Sequence, residues 1–304
     1  MGLRETLVNR ILPQNYYLTR ALYSAAFAWK TGGKTPLLVY QMGKVGSSTI
    51  VATLKAGSFA GSLAMPLFHI HSLTAASIEA DERFYFGDQH GLFRPSGWPN
   101  TVHLFTSHYL HRRLAALKGG GGKWKIITLV REPVARNISG FFESIEYRIA
   151  NFYPRLESGD LTMQEMTEHF VNRYSNHDVP LRWFDDEMKV ALDVDVFATP
   201  FPHEQGYAIY RSAKADVLLL RLESLSNCAN AAFREFLGID QVELINANDA
   251  RDKAYYPTYR SFVKSVSLPD AYLRRMYDSK YMRHFYTNSE IERFQAQWKR
   301  GQSS

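Results

Sequence analysis

Short apolar runs recur along this chain, and several are apolar on both faces: Pro36 to Met42 (PLLVYQM), Met65 to Ile70 (MPLFHI), Thr101 to Phe105 (TVHLF), Lys125 to Val130 (KIITLV) and Asp216 to Leu222 (DVLLLRL). A strand apolar on both sides must be covered on both sides, which is the condition of a parallel sheet under helices. Between the runs lie Ser48 to Ala56, Tyr109 to Lys118, Val134 to Ile149 and Ser226 to Leu237, with apolar residues at helical spacing. Gly57, Gly119 and Gly238 stand where C-terminal stops belong. This βαβ rhythm predicts an α/β fold, three-layered around a mainly parallel central sheet with helical additions. At 304 residues the chain is near the upper limit of one core, and a single domain over 1–304 is expected. Within it we expect a helical extension (1–33), an insertion (151–210) that breaks the rhythm and contacts substrate, and a C-terminal helical segment (251–304).

Composition narrows the function classes. With 45% hydrophobic and 22% charged residues, a mostly disordered chain is excluded. The net charge of +6 suggests an anionic partner without choosing among nucleotide, nucleic acid, polysaccharide and lipid. One cysteine, Cys228, rules out an internal disulfide and a cysteine-built zinc site and fits a reducing compartment, so a cytoplasmic location is expected. No HExxH-type spacing occurs, and no metal is expected. Ala21 to Trp29 is too short to span a bilayer; it is expected to be a helix packed on the domain. Weak attachment to a membrane surface through Tyr16, Tyr17, Tyr23, Phe27 and Trp29 is the sharper alternative. Seven tyrosines between Tyr255 and Tyr286 lie among Arg and Lys; packing helices are favoured over a single-stranded nucleic-acid surface, and no nucleic-acid partner is expected. Gly119 to Gly122 follow a helix and precede a strand, so they read as a surface connection.

Two segments carry chemistry. The first strand runs into Gln41-Met42-Gly43-Lys44-Val45-Gly46-Ser47-Ser48-Thr49 and then a helix. Strand, glycine turn and helix N-terminus make a cradle for a phosphate. A Walker A loop needs Lys directly after its second glycine; Lys44 instead precedes Gly46 by two residues, which disfavours an ATPase or GTPase. The second segment is a buried strand that ends in Arg131-Glu132-Pro133, with Arg136 and Ser139 on the helix that follows.

Together these segments resemble the nucleotide-binding signatures of sulfotransferases that use 3'-phosphoadenosine 5'-phosphosulfate (PAPS). The longer pattern, REPVARNISGFF, WFDDEMK, GYAIY, LLLRLESL with FREFLGI, and SKYMRHFY, resembles a bacterial branch described as capsular polysaccharide synthesis proteins, over most of the chain from residue 36. The resemblance implies a P-loop sulfotransferase type of fold, PAPS as donor and 3'-phosphoadenosine 5'-phosphate (PAP) as product, without metal. It implies that Lys44 donates to the oxygen bridging phosphorus and sulfur, and that Val45, Gly46, Ser47, Ser48 and Thr49 form the 5'-phosphate loop. Arg131 and Ser139 would hold the 3'-phosphate. Arg136 is open between a nucleotide contact and a solvated helix residue.

The acceptor, a hydroxyl of a carbohydrate or other glycan precursor, needs a base. His103, His108 and His111 cluster around the expected strand end TVHLFTSH, and His69 and His71 share one face of the preceding strand. His108, at the expected N-terminus of a helix, is the first choice and His71 the second. Trp183, Phe184, Asp185 and Glu187 are expected to meet the acceptor. A P-loop kinase, and a non-catalytic anion- or polysaccharide-binding protein in capsule assembly, are the alternatives.

Overall fold

The structure is a computed structural model that describes residues 16–56, 65–86, 98–117, 122–247 and 250–299. In chain order it contains α1 (Tyr16–Thr31), β1 (Leu37–Tyr40), α2 (Ser47–Ala56), β2 (Leu67–Ile70), α3 (Ala75–Phe86), α4 (Trp98–Ala115), β3 (Trp124–Val130) and α5 (Pro133–Glu143). There follow α6 (Ile145–Arg148), α7 (Phe152–Glu157), α8 (Met163–Arg173), α9 (Val179–Trp183), a π-helical turn (Phe184–Lys189), α10 (Val190–Leu192), β4 (Tyr207–Arg211) and β5 (Ala215–Arg221). The chain ends in α11 (Leu225–Leu237), α12 (Tyr256–Ser265), α13 (Asp270–Tyr277), α14 (Lys280–Phe285) and α15 (Asn288–Lys299).

Four of the five apolar runs form strands of one sheet, in the order β2-β1-β3-β5-β4. The pairs β1–β2, β1–β3 and β3–β5 are parallel; Val39 is level with both His69 and Ile127. All four residues of β1 and the last five of both β3 and β5 are buried, so helices cover both faces. β4, inside the segment read as an insertion, adds an antiparallel edge along β5. From β1 the chain goes outward to β2 on one side, and β3 lies on the other. Such a reversal of strand order opens a crevice at the carboxyl ends of the two strands.

The fifth run corrects the expectation. Thr101 to Phe105 is no strand; it lies within α4, and among the described residues no strand stands between β2 and β3 in sequence. Five residues with three apolar positions fit either period, and the choice falls to packing. Leu104 and Phe105 bury against Tyr16 of α1 and Ile78 and Phe86 of α3, while Leu110 and Leu114 further along join the main core. Val134 to Ile149, expected as one helix, divides at Ser144 into α5 and α6. Gly238 follows α11 as expected; Gly57 and Gly119 to Gly121 of the glycine run lie outside the described residues. In α1, Tyr16, Tyr23 and Phe27 pack inward while Tyr17, Leu18, Leu22 and Trp29 are exposed. Among the described residues no helix is long and apolar enough to cross a membrane.

Candidate functional site

β1 delivers the loop Gln41 to Gly46 to the crevice, and α2 starts at Ser47. The turn is tight: Gly43 and Gly46 have φ of 82° and 85°, and Lys44 itself sits at 63°. The positive φ favours glycine at Gly46, and a Cβ there would stand 2.5 Å from Leu222 Cδ1 and push that side chain aside. The buried Gln41 closes the loop from within: its Nε2 donates to Ser47 Oγ at 2.9 Å and its Oε1 accepts from the Gly43 N–H. Two guanidinium groups hold the loop carbonyls. Arg136 donates to Met42 O (2.8 Å) and Gly43 O (3.2 Å), and Arg131 donates to Lys44 O at 2.9 Å. Carbonyl dipoles that would repel an anion are thereby turned toward cations. Arg136 is buried, so it is no solvated helix residue; it braces the loop.

Arg131 ends β3 at a corner fixed by the C-terminal helices. Its N–H donates to Tyr281 Oη (3.1 Å), and that hydroxyl donates to the Arg131 carbonyl (2.9 Å). Glu132 caps α5, accepting from Val134 N–H (2.8 Å) and Ala135 N–H (2.6 Å), with Pro133 in the first turn. Tyr277 Oη donates to the same carboxylate at 2.7 Å, and Glu223 accepts from both Glu132 N–H and Tyr286 Oη. Burial pushes the Glu132 carboxyl up to about 7, against the pull of these donors. The amphipathic α5 buries Val134, Ile138, Phe141 and Phe142 and leaves Ser139 half-buried two turns on.

The loop and the corner face one cavity of about 540 Å³, lined by Lys44, Gly46, Ser47, Ser48, Arg131 and Ser139. Its far wall is Glu143 with Lys253, Tyr255 and Tyr259, and a third side holds Gln41, His69, His71 and His103. Lys44, Arg131 and Lys253 outweigh the one carboxylate, Glu143, so the cavity suits an anion. Lys44 Nζ pairs with Glu143 Oε2 at 2.9 Å, and Tyr255 Oη donates to the same oxygen. Burial lowers the Lys44 pKa, an effect opposed by Glu143 and reinforced by Lys253 and Arg136. Of the other loop residues, Val45 is fully buried in the core and Thr49 is outside the lining.

His108 is elsewhere. It lies within α4 rather than at a strand end, and its Nε2 is 2.7 Å from Glu82 Oε1 and 3.0 Å from Tyr16 Oη, off the cavity wall. His111 is held by the Leu73 carbonyl at 2.8 Å. His71, in contrast, lines the cavity. Its Nδ1 is 3.0 Å from two groups of Gln41, the carbonyl oxygen, which accepts, and the side-chain Nε2, which donates; the tautomer with its proton on Nδ1 satisfies the carbonyl and keeps a lone pair on Nε2. Solvent reaches the ring through the cavities beside it, yet protein crowds its other sides; this desolvation, with His103, Lys44 and Arg136 nearby, pulls the pKa down to about 4. His69 and His103 join it with ring centroids 5.1 to 5.7 Å apart. His103 reaches this group from α4. Among the described residues no His, Cys, Asp or Glu group is set to hold a metal.

The insertion residues separate. Phe184 buries among Phe285, Phe197 and Tyr281, and Asp185 pairs with Lys280 at 2.5 Å, while Trp183 and Glu187 pack beneath His71 and β1. Glu187 accepts from Tyr40 Oη, Leu73 N–H, Thr74 N–H and Thr74 Oγ1, so the buried carboxylate ties the π-turn to the end of β2.

No curated protein and no solved structure matches the chain. Residues 162–287, from the start of α8 to the end of α14, are similar to the NKWYS family, described as "Putative capsular polysaccharide synthesis protein"; the phosphate-type loop and Arg131 precede the matched stretch.

Proposed function

We propose that the chain is a sulfotransferase that moves a sulfuryl group from PAPS to a hydroxyl of a glycan or glycan precursor. One observation carries this reading: Lys44, Ser47, Ser48, Arg131 and Ser139 converge on one cationic cavity at the carboxyl ends of β1 and β3. A nucleotide with phosphates at both ends of its ribose suits that spread of donors. In the reaction the bond between sulfur and the bridging phosphate oxygen breaks and a bond from sulfur to the acceptor oxygen forms. The acceptor proton passes to Nε2 of His71, and the charge left on the bridging oxygen is met by the Lys44 ammonium. PAP and a sulfate ester are the products. Similarity to a capsular polysaccharide family supports a glycan acceptor. A magnesium-dependent kinase is less suited, since β3 ends in Arg131 rather than in a carboxylate for the metal.

Calorimetry tests the donor. PAP should bind far more tightly than AMP, and Arg131→Ala should erase the difference, a loss of about 2–4 kcal/mol for a charged partner of a desolvated phosphate. Equal affinities in the unaltered protein would overturn the assignment.

A further inference from the structure

A second cavity of about 350 Å³ lies on the other side of His71, at the lower end of the size range of small-molecule sites. His71 is the side chain that lines both cavities. The two differ in charge. Around the first, cations prevail; in the second, three carboxylates, Asp81, Asp186 and Glu187, face two arginines, of which Arg136 is held by the loop carbonyls and Arg182 pairs with Asp186 at 3.9 Å. Asp81 takes a hydrogen bond from Ser72 Oγ at 2.6 Å on one oxygen, which leaves the other to accept. Such a wall repels an anion and offers acceptors to hydroxyl hydrogens.

The wall is also built with care for His71. Trp183 Nε1 donates to the His71 carbonyl at 3.3 Å, and the four donors on Glu187 anchor the turn that follows Trp183 and carries Asp186. That turn is π-helical, a form less stable than an α-helix and often retained at functional sites.

From these observations we infer that the second cavity is the acceptor subsite, taking a neutral, hydroxyl-rich sugar whose reacting hydroxyl meets His71 at the boundary with the donor cavity. This rests on the sulfotransferase reading for its direction of transfer, though not for the binding of sugar. Asp81 and Asp186 accept from the sugar's other hydroxyls and orient the ring. An anion in one cavity and a neutral polyol in the other would be sorted by charge before they meet.

Ser77 lines the second cavity, and the one natural cysteine, Cys228, is buried. A trifluoromethyl tag on Ser77→Cys therefore reports on the cavity by fluorine NMR. The probes are methyl glycosides of glucose, galactose, mannose and N-acetylglucosamine. At least one should move the tag saturably, PAP should not displace it, and Asp81→Asn should weaken it about 10-fold. Calorimetric affinity for PAP should be unchanged by Asp81→Asn. A tag that no glycoside moves at tens of millimolar, one displaced by PAP, or one indifferent to Asp81→Asn overturns the inference. Should glycosides bind with Asp81 dependence while PAP does not bind at all, the cavity assignment stands and the sulfotransferase reading falls.

Discussion

Lys44 combines three properties at one residue: a left-handed backbone, a partly desolvated ammonium and a carboxylate partner. If its ammonium acts chiefly on charge that develops as the sulfuryl group departs, Lys44→Met should cut turnover far more than it weakens PAP binding. Parallel losses in rate and in calorimetric affinity would make Lys44 a binding residue only. His71 supplies the second prediction at this scale. A base works deprotonated, so activity is lost as pH falls through its pKa. With the ring desolvated on its protein sides and His103, Lys44 and Arg136 nearby, that pKa sits at about 4. The kcat/KM for the acceptor should thus stay level down through pH 6 and drop only below about pH 5. A limb at an ordinary histidine value would place the base on another residue.

Between elements, the corner from β3 to α5 shows how a four-residue stretch acquires its strength from afar. Glu132 caps its own helix locally, but Tyr277 and Tyr281 reach it and Arg131 from 145 and 150 residues on, and Tyr286 holds Glu223 from 63 residues on. Glu132→Ala removes the cap and leaves the Tyr277 hydroxyl without its acceptor. Urea denaturation should show a loss of about 2–4 kcal/mol, the sum of a lost cap and a buried unpaired donor. The carboxyl's pKa is raised in the folded state, from 4.5 to about 7, so the stability it confers is full below pH 4.5 and is lost as pH rises through 7. Glu132→Gln should flatten that part of the stability profile. A loss under 1 kcal/mol for the alanine variant, or an unchanged pH slope for the glutamine variant, would show that the cap is not carried by this side chain.

At the scale of the whole molecule, the first cavity joins the loop after β1, the start and end of α5, and the stretch leading into α12. Binding should therefore stabilise all of them at once. At PAP concentrations 100 times Kd the gain is about 2.7 kcal/mol by mass action, visible as a higher Tm. Hydrogen exchange should slow together over residues 41–48 and 251–259, and both effects should shrink in Arg131→Ala at the same PAP concentration. Slowing confined to the loop would detach Lys253, Tyr255 and Tyr259 from the site. The parallel α/β sheet and the two segments that line the first cavity are legible in the sequence, because strand, glycine turn and helix start lie within some twenty residues and their signals are local. Thr101 to Phe105 is not legible, since five residues fit two periods and burial against α1 and α3 decides for the helix. That decision removes His108 from the strand end and brings His103 to His69 and His71, a grouping that no spacing foretells. The same holds for Glu187, Arg136 and the C-terminal tyrosines, whose types suggest only polarity or packing until the fold supplies their partners. Local order belongs to the sequence by itself; which buried charges and hydroxyls meet is a long-range matter, settled by the tertiary structure because an unpaired polar group in the core is too costly to leave.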